Sequence, residues 1–220
     1  MNVQFRALRA LSLLSFIVLG TLLAQAGNIT VQNASFESAN LPDNSGNGNF
    51  SQLVPNSLLG QADGTLPDWA VTFATMADAA GGFAPNNGPN NWTTPWWDGN
   101  NVAYLEVDGD GSTVSLSQVL AATLQNNTQY TLSSLIGRRK LPNFSTEFDY
   151  DLELWAGNTM LGSASNLSLA RDSSGMDSLV YNSGSSNALA GQQLKIVLSS
   201  TGGGDEGLTE VFFDDISLDG

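Results

Sequence analysis

The sequence contains no histidine and no cysteine, and only 7 of its 220 residues are lysine or arginine. Without these side chains there is no histidine-based catalytic triad, no cysteine nucleophile, no disulfide framework and no zinc site of the usual kind. The 21 aspartates and glutamates give a formal net charge of −14, which argues against nucleic acid as a partner. Calcium, which prefers carboxylate and carbonyl oxygens, is the metal ion that this composition favours.

The first 26 residues have the pattern of a cleavable signal peptide. Arg6 and Arg9 precede an apolar run at residues 10–23, and the triplet Ala24-Gln25-Ala26 follows as a cleavage site. We therefore expect an exported protein, periplasmic or secreted, that keeps no stable membrane anchor after cleavage. The length of the remaining residues, 27–220, predicts a single domain.

Residues 27–220 predict an all-β fold. Turn signals rich in glycine and asparagine separate the strand-like segments, and no amphipathic helix of useful length is evident. Many short strands joined by such turns indicate a jelly-roll β-sandwich rather than a βαβ fold. The segments with alternating apolar residues lie at 29–36, 69–73, 102–107, 114–120, 130–136, 148–155, 179–181, 194–198 and 211–218.

One long stretch, at about residues 38–100, interrupts this rhythm with asparagine, glycine and proline. It carries four of the five tryptophans: Trp69, Trp92, Trp96 and Trp97. Disordered linkers are poor in large aromatic side chains, because these side chains need something to bury them. We therefore interpret the stretch as an ordered insertion that caps one end or face of the sandwich.

A set of short motifs in residues 27–220 resembles, in the same order, the galactose-binding-like jelly rolls of many carbohydrate-binding modules. The first motif is Asn-Ala-Ser-Phe-Glu at 33–37, and the last is Phe-Phe-Asp-Asp-Ile-Ser-Leu at 212–218. In such domains the two terminal strands lie side by side. Between them come Leu-Pro-Asp-Trp at 66–69, Gly-Asn-Asn-Val-Ala-Tyr at 99–104, Ser-Leu-Ser-Gln at 115–118, Tyr-Thr-Leu at 130–132, Gly-Arg-Arg at 137–139, Leu-Glu-Leu-Trp-Ala-Gly at 152–157 and Gly-Gln-Gln at 191–193.

The same ordered motifs are similar to those of the Stig cyclases, exported cyanobacterial proteins of hapalindole-type indole alkaloid pathways. The resemblance implies a calcium-dependent homodimer that acts on a small hydrophobic indole–terpenoid, a geranylated indolenine isonitrile. It also implies an intramolecular lyase or isomerase, which forms hapalindole- or fischerindole-type alkaloids by acid-assisted Cope rearrangement and cation cyclisation. Exported sugar-binding-like proteins share the motifs but end in a sorting tail. A non-catalytic carbohydrate-binding protein is therefore the alternative, and a structural exported protein is a third.

Asp214 is the candidate catalytic acid, since the cyclases carry their catalytic aspartate in this final-strand motif. If Ile216 and Leu218 face the core, strand alternation places Phe212 and Asp214 on that same face and Asp215 on the other. Burial beside Phe212 would raise the pKa of the Asp214 carboxyl, as a general acid requires. The competing interpretation makes Asp214 either a calcium ligand or a hydrogen-bonded aspartate at the end of a strand.

Glu37 is the main candidate for binding calcium, because a glutamate at the start of a loop can present both oxygens to a metal ion. A solvated glutamate at the end of a strand is the competing interpretation. The resemblance pairs this glutamate with an aspartate of the last strand, which makes Asp215 a second candidate. Asp108 and Asp110, in the run Asp-Gly-Asp-Gly, resemble a calcium loop, but a hairpin turn is the simpler interpretation.

Trp69, Tyr104 and Phe148 are the candidate walls of a substrate pocket. Trp69 and Tyr104 match motif positions that line the pocket of the cyclases, and Phe148 follows the Gly-Arg-Arg motif, where the family places another aromatic. Ordinary core packing is the competing interpretation for each of them. Trp96 and Trp97 have no match in the family pattern, and a sugar-stacking platform is an equally good interpretation of the pair.

Arg138, Arg139 and Lys140 form a cluster of cations in an otherwise acidic chain. We expect a structural role for this cluster, either as a strand-end ion pair or in contact with the carboxylates of a partner subunit.

Overall fold

The computed structural model describes residues 27–38, 49–53, 66–73, 79–84, 93–108, 111–140, 148–202 and 208–220. The predicted signal peptide, residues 1–26, lies outside these ranges. Within them every regular element is a β-strand, and no helix has the length and apolar character that crossing a membrane requires.

The described strands are β1 (Asn28–Ile29), β2 (Asn49–Leu53), β3 (Ala70–Phe73), β4 (Ala79–Ala84), β5 (Val102–Asp108), β6 (Thr113–Thr123), β7 (Gln129–Arg138), β8 (Asp151–Ala156), β9 (Thr159–Ala164), β10 (Ser173–Asn182), β11 (Gln193–Thr201) and β12 (Leu208–Asp219). They form two antiparallel sheets. A seven-stranded sheet has the order β10-β7-β12-β5-β4-β2, with β1 also paired to β12, and a five-stranded sheet has the order β3-β6-β11-β8-β9. The predicted all-β sandwich is therefore confirmed.

The main core lies between the two sheets. Strands such as β6 and β8 bury every second residue, because successive side chains of a strand point to opposite faces. The inward side chains of both sheets form one apolar cluster, which excludes water from the backbone hydrogen bonds around it. Its members include Leu105, Leu116, Leu132, Ile136, Leu152, Leu154, Ile196, Leu198, Val211, Phe213, Ile216 and Leu218.

The stretch predicted as a capping insertion, at about residues 38–100, is in part a component of the sandwich itself. Its strands β2 and β4 extend the seven-stranded sheet beyond β5, while β3 pairs with β6 at the edge of the five-stranded sheet. Residues 93–101 lie against the outer face of the seven-stranded sheet, where Trp96 and Trp97 pack on a second apolar cluster. The predicted strand-like segment at 69–73 corresponds to β3. Strands β2 and β4 were not predicted, because their sequences lack a clear alternation of apolar residues.

A β-bulge in β12 reverses the alternation of the final strand. Asp214 pairs with Leu135 and Ser217 pairs with Ser133, so two residues of β12 lie opposite one residue of β7. Asp215, the first of these two residues, has a φ of +48°.

The bulge decides which face Asp214 occupies. Ile216 belongs to the main core, whereas Phe212 belongs to the second cluster on the outer face. Alternation from Phe212 places Asp214 on the outer face as well, so the predicted placement of Asp214 on the same face as Ile216 and Leu218 is wrong. The extra residue is the reason, since the prediction assumed an uninterrupted strand.

We predict that the backbone at position 215 tolerates glycine better than a β-branched residue. Glycine adopts positive φ without steric cost, whereas the left-handed region costs other residues about 1–2 kcal/mol. Asp215→Val is therefore expected to unfold at lower urea concentration than Asp215→Gly, with a free energy of unfolding lower by about that amount. Both variants are measured with a calcium chelator present, so that loss of any bound metal ion does not enter the comparison. Equal stability of the two variants would contradict the bulge geometry.

Candidate active site

Asp214 is fully buried on the outer face of the seven-stranded sheet. Its Oδ1 accepts a hydrogen bond of 2.8 Å from the backbone N–H of Asp215, and its Oδ2 accepts one of 2.6 Å from the backbone N–H of Asp98. The second bond ties the carboxyl to residues 93–101, the segment that covers this face. The final strand and the covering segment thus hold Asp214 in one orientation.

Burial raises the pKa of Asp214 to about 7, with smaller increases from the neighbouring carboxylates of Asp98 and Asp215. The two backbone N–H groups act in the opposite direction, because they stabilise the charged form. A pKa raised toward neutrality is what a carboxyl needs in order to donate a proton and later recover one.

An aromatic surface lies beside Asp214. Tyr104 and Phe212 are fully buried neighbours on β5 and β12, and their ring centroids are 6.4 Å apart. Trp96 and Trp97 pack over them in a T-shaped arrangement, with centroids 6.1 Å apart. Tyr104, a predicted pocket residue, is therefore close to Asp214 in the sheet.

Gly137 of β7 lies directly across from Phe212 and makes room for the indole of Trp96. A Cβ atom at position 137 would overlap the six-membered part of that indole. Glycine is thus required here by the close approach of a side chain rather than by a turn.

A buried ion pair follows on the same face. Arg139 Nε lies 2.7 Å from Glu210 Oε2, and both side chains are almost inaccessible to solvent. The guanidinium carbon also lies 5.7 Å from the ring centroid of Phe212. Burial raises the pKa of Glu210 above its usual value, with a further increase from Glu106, while the guanidinium of Arg139 opposes this rise and favours the charged form.

The Arg139–Glu210 pair explains part of the cation cluster at 138–140. The second cation, Arg138, donates a hydrogen bond of 2.7 Å to the Leu169 carbonyl. The sequence interpretation did not single out Glu210. The alternation Glu210, Phe212, Asp214 along one strand was the signal that could have identified it.

Glu37 is exposed and, like Asp214, accepts hydrogen bonds from the covering segment, residues 93–101. Its Oε1 accepts hydrogen bonds of 2.8 Å from the backbone N–H groups of both Asn100 and Asn101. Gly99, with a φ of +67°, packs so closely that a Cβ there would lie 2.5 Å from Oε1. The contacts of Glu37 therefore hold the covering segment near its end.

The predicted calcium ligands do not form a site from the described residues alone. Glu37 commits Oε1 to two N–H groups, and Asp215 is exposed in the bulge. Asp110 and the side chain of Asp108 lie outside the described residues. Among the side chains that the structure describes, no three carboxylates converge as they would around a metal ion.

Trp69 lies in the main core, and Phe148 packs against it, so neither belongs to the cluster on the outer face. Trp69 packs on Phe36 at a centroid distance of 5.4 Å. Phe148 packs on Tyr150 at 5.5 Å. Both residues come from segments that lead into the five-stranded sheet, whereas Asp214 faces away from that sheet. Of the three predicted pocket aromatics, only Tyr104 shares a face with Asp214.

The arrangement suits chemistry that needs one proton and an aromatic environment. The Asp214 carboxyl, with its raised pKa, lies on the same face as the rings of Tyr104 and Phe212, and aromatic π-faces can stabilise a cation. The chain has neither histidine nor cysteine to act as a nucleophile.

Comparison with known proteins gives a family for this geometry. The profile of the HpiC1-like family, described as HpiC1 cyclase, matches residues 27–219. A search of curated proteins found no match.

Solved structures show the same fold. An apo cyclase from Fischerella sp. is 22% identical, with a TM-score of 0.69 over 89% of this chain and 97% of its own. A Stig cyclase from Fischerella sp. TAU in complex with (3Z)-3-(1-methyl-2-pyrrolidinylidene)-3H-indole is 24% identical, with a TM-score of 0.65 over 88% and 97%. A cyclase from Fischerella sp. TAU in complex with 4-(1H-indol-3-yl)butan-2-one is 22% identical, with a TM-score of 0.67 over 88% and 96%. Because the family profile spans nearly all of residues 27–220, the chain belongs to the HpiC1-like cyclase family.

Proposed function

We propose that this cyclase converts a geranylated indolenine isonitrile into a polycyclic indole alkaloid of hapalindole or fischerindole type. The observation that carries the proposal is the buried Asp214, whose pKa of about 7 suits a general acid and whose neighbours are aromatic. The indole-containing ligands of two solved relatives support an indole substrate. The reaction is an intramolecular rearrangement, for which the protein supplies a proton, orientation and a shaped apolar surface.

Each residue at the site has one role in this proposal. Asp214 donates its proton to the indolenine nitrogen, which makes the ring electron-poor and favours the Cope rearrangement. Tyr104 and Phe212 present their π-faces to the cation that forms during cyclisation. The Arg139–Glu210 pair fixes the ring of Phe212 from one side, because the guanidinium lies over that ring and is itself held by the carboxylate.

The carbohydrate-binding alternative predicts tryptophans that present flat faces to solvent. Trp96 and Trp97 are instead partly buried, with their ring planes 87° apart, and they pack on an apolar cluster. A sugar ring stacks on an open aromatic face, so this packing favours the cyclase.

Export and dimer formation belong to the same proposal. Cleavage after residue 26 would release residues 27–220 as the mature domain, and the family resemblance implies a homodimer. Light scattering of the purified mature chain measures this oligomeric state.

We predict that Asp214→Asn abolishes cyclisation of the geranylated indolenine isonitrile, because the amide cannot donate an acidic proton. A general acid is typically worth about 10²–10⁴ in rate, so turnover should fall by at least the lower figure. Asp215→Asn is the matched control: it also removes one carboxylate, is exposed, and keeps a residue type that tolerates the positive φ of the bulge. This control should retain most of the activity.

Two results would overturn the assignment of the acid. Full activity of Asp214→Asn would place the acid elsewhere. Loss of a calcium response in Asp214→Asn, with Asp215→Asn unaffected, would make Asp214 a metal ligand. Binding of the wild-type protein to a polysaccharide column, together with no cyclisation, would favour the carbohydrate-binding alternative.

We further propose that calcium stabilises the domain with Glu37 as one ligand, and no catalytic step is routed through the ion. Calcium accepts carbonyl as well as carboxylate oxygens, so one glutamate can take part in a site completed by neutral ligands. The ion binds the folded state, and its removal is therefore expected to lower the midpoint of thermal unfolding.

Glu37→Gln separates the two functions of this side chain. The amide oxygen can still accept the N–H groups of Asn100 and Asn101, whereas the charge that attracts calcium is lost. We expect the midpoint of thermal unfolding of Glu37→Gln to be the same with and without a chelator. The midpoint of Glu37→Ala should be lower than that of Glu37→Gln, because alanine also loses the hydrogen bonds to the segment. A wild-type midpoint that a chelator leaves unchanged would contradict the calcium proposal.

A further inference from the structure

Residues 93–101, here named the strap, cross the outer face of the seven-stranded sheet. They bring Trp96 and Trp97 onto the apolar cluster formed by β5 and β12. Three carboxylates, each from a different part of the chain, accept hydrogen bonds from the strap: Asp172 from Thr93, Asp214 from Asp98, and Glu37 from Asn100 and Asn101.

The indole of Trp96 fills a site of its own size on this face. It lies against the bare backbone of Gly137 on β7, beside the rings of Phe212 and Tyr104. Because position 137 is a glycine, the sheet leaves a space the size of an aromatic ring there, and the Trp96 side chain occupies it.

The strap also closes off the acid. Asp214 is fully buried, and its Oδ2 is engaged by the Asp98 N–H two residues beyond Trp96. A substrate atom cannot reach Oδ2 while the carboxyl stays buried and that hydrogen bond remains in place. Access to the acid and removal of Trp96 are therefore linked through one short segment.

We propose that Trp96 plugs an aromatic-ring site beside Asp214 and that the indole ring of a ligand takes its place when the strap lifts. That the ligand's ring is an indole rests on the proposed function. The site itself rests on the close approach of Trp96 to Gly137 and on its packing against the cluster of Val102, Tyr104 and Phe212. Lifting the strap breaks the bond from Asp98 and exposes Oδ2 at the moment the ring arrives.

The plug has a measurable effect on affinity. A ligand that binds only the open state has an apparent dissociation constant equal to its intrinsic constant divided by the open fraction. If the plug is closed more than about nine-tenths of the time, removing it tightens binding by about tenfold or more. A tryptophan that instead formed a wall of the site would have the opposite effect, since its removal would weaken binding.

The first experiment follows Trp96 directly. The protein is labelled with 5-fluorotryptophan, and the ¹⁹F resonance of Trp96 is assigned by its loss in Trp96→Phe. The probe is 4-(1H-indol-3-yl)butan-2-one, the ligand of one solved relative. At saturation we expect the Trp96 resonance to move to a solvent-exposed position while that of Trp155, on the five-stranded sheet, stays in place. An unmoved Trp96 resonance at saturation would overturn the proposal.

The second experiment measures affinity by calorimetry. Trp96→Ala is expected to bind the same probe about tenfold more tightly than the wild type. Trp155→Ala is the matched control, since this tryptophan is also partly buried but packs under Lys195 at 4.4 Å on the other sheet. Its affinity should equal that of the wild type. Weaker binding to Trp96→Ala, or no binding to any of the three proteins, would overturn the proposal.

Gly137→Ala tests the same displacement with Trp96 still in the chain, and it serves if Trp96→Ala fails to fold. The added methyl group overlaps the indole, so we expect the Trp96 resonance of this variant to be displaced without any probe. An undisplaced resonance in folded Gly137→Ala would contradict the contact on which the plug depends.

These readouts do not require turnover. Displacement of Trp96 by the probe in a protein that does not cyclise the geranylated substrate would uphold the plug and reject the proposed reaction. Cyclisation of the geranylated substrate without displacement of Trp96 by the probe would uphold the proposed reaction and reject the plug.

Discussion

The extra residue that β12 carries opposite Ser134 determines which side chains meet on the outer face of the seven-stranded sheet. Without it, Asp214 and Ile216 would lie on the same side of the strand, and one of them would be misplaced: a carboxyl in the main core or an isoleucine outside it. With Asp215 in a left-handed conformation, Ile216 and Leu218 remain in the core while Asp214 and Phe212 face outward. The cost of one strained residue is thus offset by the burial of two apolar side chains.

The outward-facing carboxyl of Asp214 is out of contact with water because the strap covers it. Glu37 and Asp214 accept the same kind of bond, from backbone N–H groups of one short segment, yet their burial differs completely. Glu37 is exposed and remains hydrated, so such a bond mainly orders the segment there. Asp214 loses its hydration, and the resulting rise in pKa exceeds the effect of two N–H donors. Burial, rather than the identity of its hydrogen-bond partners, sets the chemistry of Asp214.

The sequence predicted the sandwich and the residue at its candidate centre, because alternation and the terminal motif are local signals. It did not predict the bulge, since nothing in Asp-Asp-Ile-Ser marks the residue that leaves the ladder. Asp214 was therefore expected to be buried beside Phe212, and the structure shows this. It was also expected to face the main core with Ile216 and Leu218, but the bulge places it on the outer face of the sheet. Trp69 and Phe148 were misplaced for another reason: which sheet a segment joins depends on pairings across the whole chain. The pairing of Glu210 on β12 with Arg139, the residue that follows β7, is equally non-local.

The protonation state of Asp214 is the property on which the account depends most directly. It is measured by ¹³C NMR titration of the mature protein labelled at aspartate Cγ, with the Asp214 resonance assigned by its loss in Asp214→Asn. A midpoint near pH 7 is predicted, because the strap and the sheet exclude water from the carboxyl. A midpoint near 4, the range of an ordinary solvated aspartate, would contradict both the burial of this group and its role as the acid.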